Sequence, residues 1–168
     1  RSTEAEAGGD ESLQQHLNVG VAFYRSGMME DATREFEQAL EIDPKQARAN
    51  FMLGLMAFRA GRLDEALQHF GSMPESHREG YAVQRNRALT LELLGRYPEA
   101  LEALDTASLS KPDDAELHLA RGILFLKARD AARSLDSLRQ YRTSPTIKKP
   151  SAAYYAYTIL ASAVAGGT

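Results

Sequence analysis

A period of 34 residues runs through this chain and constrains its fold more than any other feature. Gly20 and Gly54 are one period apart, and Ala88 and Gly122 continue the series. Ala32, Ala66 and Ala100 keep the same spacing and then meet Ser134, while Phe36, Phe70, Leu104 and Leu138 hold it throughout. Phe23, Phe58, Leu91 and Phe125 mark a further apolar site, with one residue of drift at Phe58. Units of this size are single supersecondary elements, and one of them cannot bury its own apolar stripe. Stacking several in register makes the core. The small residues lie where two helices of one unit cross closely, and the large ones fill the space between neighbouring pairs. Gly27, Gly61 and Gly95 recur at the same period and mark the turn inside each pair, where a left-handed backbone costs glycine little. Acidic residues follow at once, Glu30–Asp31, Asp64–Glu65 and Glu99, as the positive end of a second helix favours.

The phase divides the chain into units 13–46, 47–80, 81–114 and 115–148, preceded by residues 1–12, read as a flexible leader, and followed by a terminal helix over about 151–164. Two departures carry information. Gly71 and Pro74 fall where the second helix of unit two would continue, so that helix is expected to end near Phe70 or Gly71 and a loop to run to Gly80. In unit four Arg129 replaces the turn glycine, with Asp130 beside it as a helix cap.

These residues resemble the tetratricopeptide repeat family. The family carries Leu-Gly and then an aromatic on its first helix. Ala, aromatic and Ala follow on the second, and Pro closes the unit. Val19–Gly20, Phe23, Ala32, Phe36, Ala39 and Pro44 match in unit one; Leu53–Gly54, Ala66 and Phe70 in unit two. Ala88, Leu91, Ala100, Leu104, Ala107 and Pro112 match in unit three; Gly122, Phe125, Leu138 and Tyr141 in unit four. The resemblance implies an all-α fold, a right-handed α-solenoid of about four helix-turn-helix repeats plus a C-terminal helix, with nine helices and no strand. It implies a concave groove lined by the first helices. The groove positions map onto Asn18, Val21 and Tyr24, onto Arg48, Phe51, Leu55 and Arg59, onto Arg85, Asn86 and Leu89, and onto Ile123. Leu17 and Leu119 map there too. Such a surface suits a peptide or helix with apolar anchors and an acidic group. The family's clamp for chaperone C-termini is not expected, because Leu17, Val21, Met52 and Ala82 stand where its Lys and Asn residues belong.

Composition narrows the function. Hydrophobic residues make up 43% and charged residues 26%, too much apolar content for a disordered chain. With a net charge of −3 there is no footprint for nucleic acid, and no nucleic-acid partner is expected. Without cysteine there is no disulfide and no thiolate chemistry, and the redox environment is left open. No phosphate-binding glycine loop or His-Glu-x-x-His sequence is present, so no catalytic residue, cofactor or metal is expected. His16 and His118 are three periods apart and read as packing residues; His69 and His77 flank the broken helix without metal-ligand spacing. The chain thus reads as a protein-binding scaffold or assembly factor. The alternative is a regulatory or substrate-docking segment of a larger enzyme. The compartment, cytoplasmic or periplasmic, is not legible.

Charge is unevenly spread. Residues 1–46 hold four Arg or Lys against ten Asp or Glu, a net −6, and residues 115–168 hold eight against three, a net +5. Residues 151–168 carry no charge at all, and their helix presents Tyr154, Tyr155, Tyr157, Ile159, Leu160 and Val164 among alanines. The phase makes it the first helix of a fifth unit, with Ala156 at the small position. It is too weakly apolar for a membrane span. Packing on unit four should leave part of it uncovered, and Tyr155 and Leu160 are expected in an interface with another copy, a partner or a continuation of the chain.

Overall fold

Four helical hairpins follow the 34-residue phase. The computed structural model describes residues 2–166, and every regular element among them is an α-helix. The chain divides into two units, one ending at Glu79 and the other starting at Gly80. The first unit holds α1 (Ser2–Arg25), α2 (Met29–Ile42), α3 (Ala47–Arg59), α4 (Leu63–Gly71) and the single-turn α5 (Glu75–Arg78). The second holds α6 (Tyr81–Leu93), α7 (Tyr97–Ser110), α8 (Ala115–Lys127), α9 (Ala131–Thr143) and α10 (Ala152–Gly166).

All four hairpin turns are built alike. Gly27, Gly61 and Gly95 have φ of 78°, 75° and 73°, and Arg129 takes the same conformation at 65°. The next amide reaches back five residues in each case: Met28 to Phe23, Arg62 to Ala57, Arg96 to Leu91 and Asp130 to Phe125, at 2.8–2.9 Å. This closes the helix ends and leaves the second helix antiparallel to the first. Where glycine is missing, the cap compensates. Asp130 accepts from the Arg133 amide at 3.0 Å and from its Nε at 2.5 Å, which holds its carboxyl below the usual range.

The helices of each hairpin cross at the small positions. A Cβ placed on Gly20 would lie 2.9 Å from Phe36, one on Gly54 2.5 Å from Phe70, and one on Gly122 2.7 Å from Leu138. Phe36, Phe70 and Leu138 are buried there. In the first unit Leu17, Ala32, Phe36, Ala39, Ala49, Leu53 and Met56 form one core cluster. In the second, Ala115, Leu119, Leu138 and Tyr141 form a cluster that Tyr154 and Tyr157 of α10 extend. Ser134 replaces the expected alanine without cost, since its buried hydroxyl donates to the Gly122 carbonyl at 2.7 Å.

One expectation is corrected. There are ten helices among the described residues, not nine, because Pro74 both stops the second helix of unit two and starts α5 as its N-cap. Helix α1 begins at Ser2 and takes in residues 2–12. No proline interrupts it, and extending an existing helix adds one hydrogen bond per residue fixed. The terminal helix runs from Ala152 to Gly166.

Candidate functional site: the first-helix faces

In the first unit the mapped residues come from α1 and α3. Arg59 lies over the Tyr24 ring, 5.4 Å from its centroid. Asn18 is exposed and accepts from Gln14 at 3.0 Å. Val21, Phe51 and Leu55 are half-buried, and the Phe51 ring lies 6.1 Å from that of Phe70. Arg48 is exposed, and neither it nor Arg59 has an ion-pair partner among the described residues.

In the second unit they come from α6 and α8. Leu89 is exposed to 42%, and Ile123 is half-buried. Arg85 meets no carboxylate within ion-pairing distance among the described residues. It donates from Nη1 to the Tyr81 hydroxyl at 3.2 Å. That hydroxyl donates in turn to Asp114, and Lys111 Nζ sits 4.2 Å from the Tyr81 ring centroid. Burial first, then Asp114, raises the Tyr81 phenol above its ordinary range. Asn86 is half-buried and bonds to the Ala82 carbonyl at 2.8 Å. Glu92, on the same helix as Arg85, is taken by Lys127 at 2.6 Å, which raises the lysine's pKa.

Two mapped positions belong to the core instead. Leu17 is 3% exposed and Leu119 7%, and both sit in the hydrophobic clusters. A stripe at helical spacing does not say which of its members the neighbouring helix covers. Sequence reasoning put His16 and His118 at one position and missed that Asn50 and Gln84 complete a polar row with them, spaced at 34. His16 Nδ1 meets Glu35 at 2.8 Å. One period on, Asn50 meets His69 at 3.1 Å and donates to the Pro44 and Gln46 carbonyls, each at 3.1 Å. Burial lowers the His69 pKa against the pull of Glu65 and Glu37. His118 Nδ1 is buried and has no hydrogen-bond partner among the described residues. The signal for this row was the same period, read on polar residues.

Among the described residues no group of three or more His, Asp or Glu side chains is placed to hold a metal. None of their helices is long and apolar enough to cross a membrane.

Repeated hairpins closed at left-handed turns, with small-to-large crossings every 34 residues, define a helical repeat protein. Two family models described as tetratricopeptide repeat match residues 17–73 and 57–124, and the chain belongs to the tetratricopeptide repeat family. Its fold is shared by a MamA protein (TM-score 0.81, 14% identity, covering 94% of this chain and 84% of that one). It is shared by MamA from AMB-1 (0.73, 19%, 86% and 78%). A tetratricopeptide repeat protein from Parabacteroides merdae shares it too (0.79, 19%, 94% and 61%). In sequence the chain is 23% identical over 111 residues to anaphase-promoting complex subunit 3 of Schizosaccharomyces pombe, covering 66% of this chain and 17% of that protein's length. Family and fold together make this chain a protein–protein interaction scaffold.

Proposed function

We propose that the scaffold holds its partner on the first-helix faces, and that the partner segment combines apolar anchors with an acidic group. The observation that carries this reading is the state of the arginines. Arg59 lies over the Tyr24 ring, Arg85 bonds to the Tyr81 hydroxyl and Arg48 is exposed; none of the three has a carboxylate partner among the described residues, while Glu92 is already neutralised by Lys127. An arginine fork held by stacking or by a phenol oxygen is oriented in advance for a carboxylate. Tyr24, Phe51 and Leu55 in one unit, and Leu89 and Ile123 in the other, are the apolar residues of the same first helices. Anchors of this kind are what a bound helix or extended peptide inserts.

The test is selection of ligands from a random peptide library, followed by affinity measurement by fluorescence anisotropy. The selected peptides should be enriched in acidic and apolar residues. Arg48→Glu/Arg59→Glu should weaken their binding by about tenfold or more. The melting temperature should stay nearly unchanged, because exposed charges contribute little to stability. Peptides without acidic residues, or binding indifferent to the double substitution, would refute the reading.

A further inference from the structure

The exposed face of α10 is the face that every preceding first helix turns toward its own second helix. Ala156 continues the series Gly20, Gly54, Ala88 and Gly122, all four of which are buried. Ile159 continues the series Phe23, Ala57, Leu91 and Phe125. On α10 Ala156 is exposed and Ile159 is 69% exposed, while Ala161 on the opposite side is fully buried. At 3.6 residues per turn, Ala152, Tyr155, Ala156, Ile159, Leu160 and Ala163 form one continuous stripe, and all six are exposed. Tyr155 and Leu160 are each more than half exposed. Among the described residues, half of a repeat interface is therefore present without its covering helix.

We infer that α10 pairs with α10 of a second copy, antiparallel about a two-fold axis, each helix serving as the second helix of the other's repeat. The second helix of every hairpin is antiparallel to the first, so the geometry is the one the repeat already uses. The stripe is also self-complementary in that orientation. With the axis between residues 157 and 158, Ala156 lies beneath Ile159 and Leu160 of the second copy, and Ala152 meets its Ala163. Large side chains then stand over a small one, as Phe36 does over Gly20 and Leu138 over Gly122. Electrostatics favour a second copy as well. The helix has no acidic residue in its first turn and no basic residue in its last, so neither end of its dipole is compensated. Antiparallel pairing sets each end against its opposite. It also brings the exposed Lys148 and Lys149 of one copy toward the carbonyl end of the other's helix. No charge is buried, because α10 has none. A two-fold contact of this kind is isologous and closes at a dimer.

The experiment is sedimentation velocity on the whole chain across micromolar to millimolar concentration. A concentration-dependent dimer is expected. Ile159→Glu should raise its dissociation constant at least tenfold without lowering helix content. Leu109→Glu on α7, at a leucine 83% exposed, should leave the dimer intact. Because the chain has no cysteine, Ala152→Cys/Ala163→Cys reports the register. The two positions lie eleven residues apart on one helix, too far to bond within a copy, so oxidation should yield a covalent dimer. A chain monomeric throughout would overturn the inference. So would a dimer that survives Ile159→Glu, or one that fails to cross-link at this pair.

Discussion

Substituting Gly54 by alanine sets two opposing effects against each other at one atom. In a helix interior alanine is favoured over glycine by about 1 kcal/mol, so propensity alone predicts a more stable protein. The structure predicts the reverse. The added Cβ would meet Phe70 Cε1 at 2.5 Å and Cδ1 at 2.8 Å, and Phe70 is fully buried, so ring or backbone must shift within a packed core. Overpacking of this kind costs roughly 1–3 kcal/mol, which against about 1 kcal/mol of propensity leaves Gly54→Ala destabilised by up to about 2 kcal/mol net. Removing the ring should relieve the clash, so Phe70→Ala is the second substitution of the cycle. The double variant should be more stable than the sum of the two single effects implies, by about 1 kcal/mol. Urea denaturation followed by circular dichroism gives the four stabilities. A Gly54→Ala variant stabilised by the full propensity term, or a cycle that closes additively, would refute the packing argument.

Two further outcomes are expected. Arg129→Gly removes a side chain from the left-handed region, where non-glycine residues are disfavoured by roughly 1–2 kcal/mol, and should raise the urea midpoint; an unchanged or lower midpoint would mean that Arg129 makes up for its strain. His118→Leu removes a buried nitrogen that has no hydrogen-bond partner among the described residues and should stabilise by about 1 kcal/mol near neutral pH. The same variant should change the pH dependence. Burial, with Arg121 adding to it, holds the His118 imidazole below its ordinary range, and burial does the same for His69. As pH falls the unfolded chain binds these protons first, so stability should decline through the ordinary histidine range near about 6.5. His118→Leu should flatten that decline in part and leave the contribution of His69; an unaltered slope would show that His118 does not titrate differently on folding.

Much of the backbone was legible because the period fixes it. A left-handed turn every 34 residues needs glycine, and three of four turns have it. Close crossings need small residues, and Pro74 ends α4 as its chemistry requires. Residues 2–12 were harder, since polar composition says nothing about a helix that propagates from a neighbouring stable segment. The candidate faces were partly legible. The positions of Arg48, Arg59 and Arg85 follow from phase alone. The burial of Leu17 and Leu119 does not, because it depends on which flank of the stripe the adjoining helix covers. The pairing of Glu92 with Lys127 joins residues 35 apart, just beyond one period, and nothing in either local sequence announces it. The polar row at His16, Asn50, Gln84 and His118 was visible in the spacing, but its hydrogen bonds depend on partners from helix ends and second helices that only the fold brings near.

The central claim is that a partner binds on the first helices, beside the arginines. A selected peptide carrying a photoreactive group at its apolar anchor, cross-linked and mapped by mass spectrometry, tests it most directly. Attachment to Tyr24, Phe51 or Leu55 in the first unit, or to Leu89 or Ile123 in the second, is the predicted result. Attachment confined to α2, α4, α7 or α9 would contradict the account.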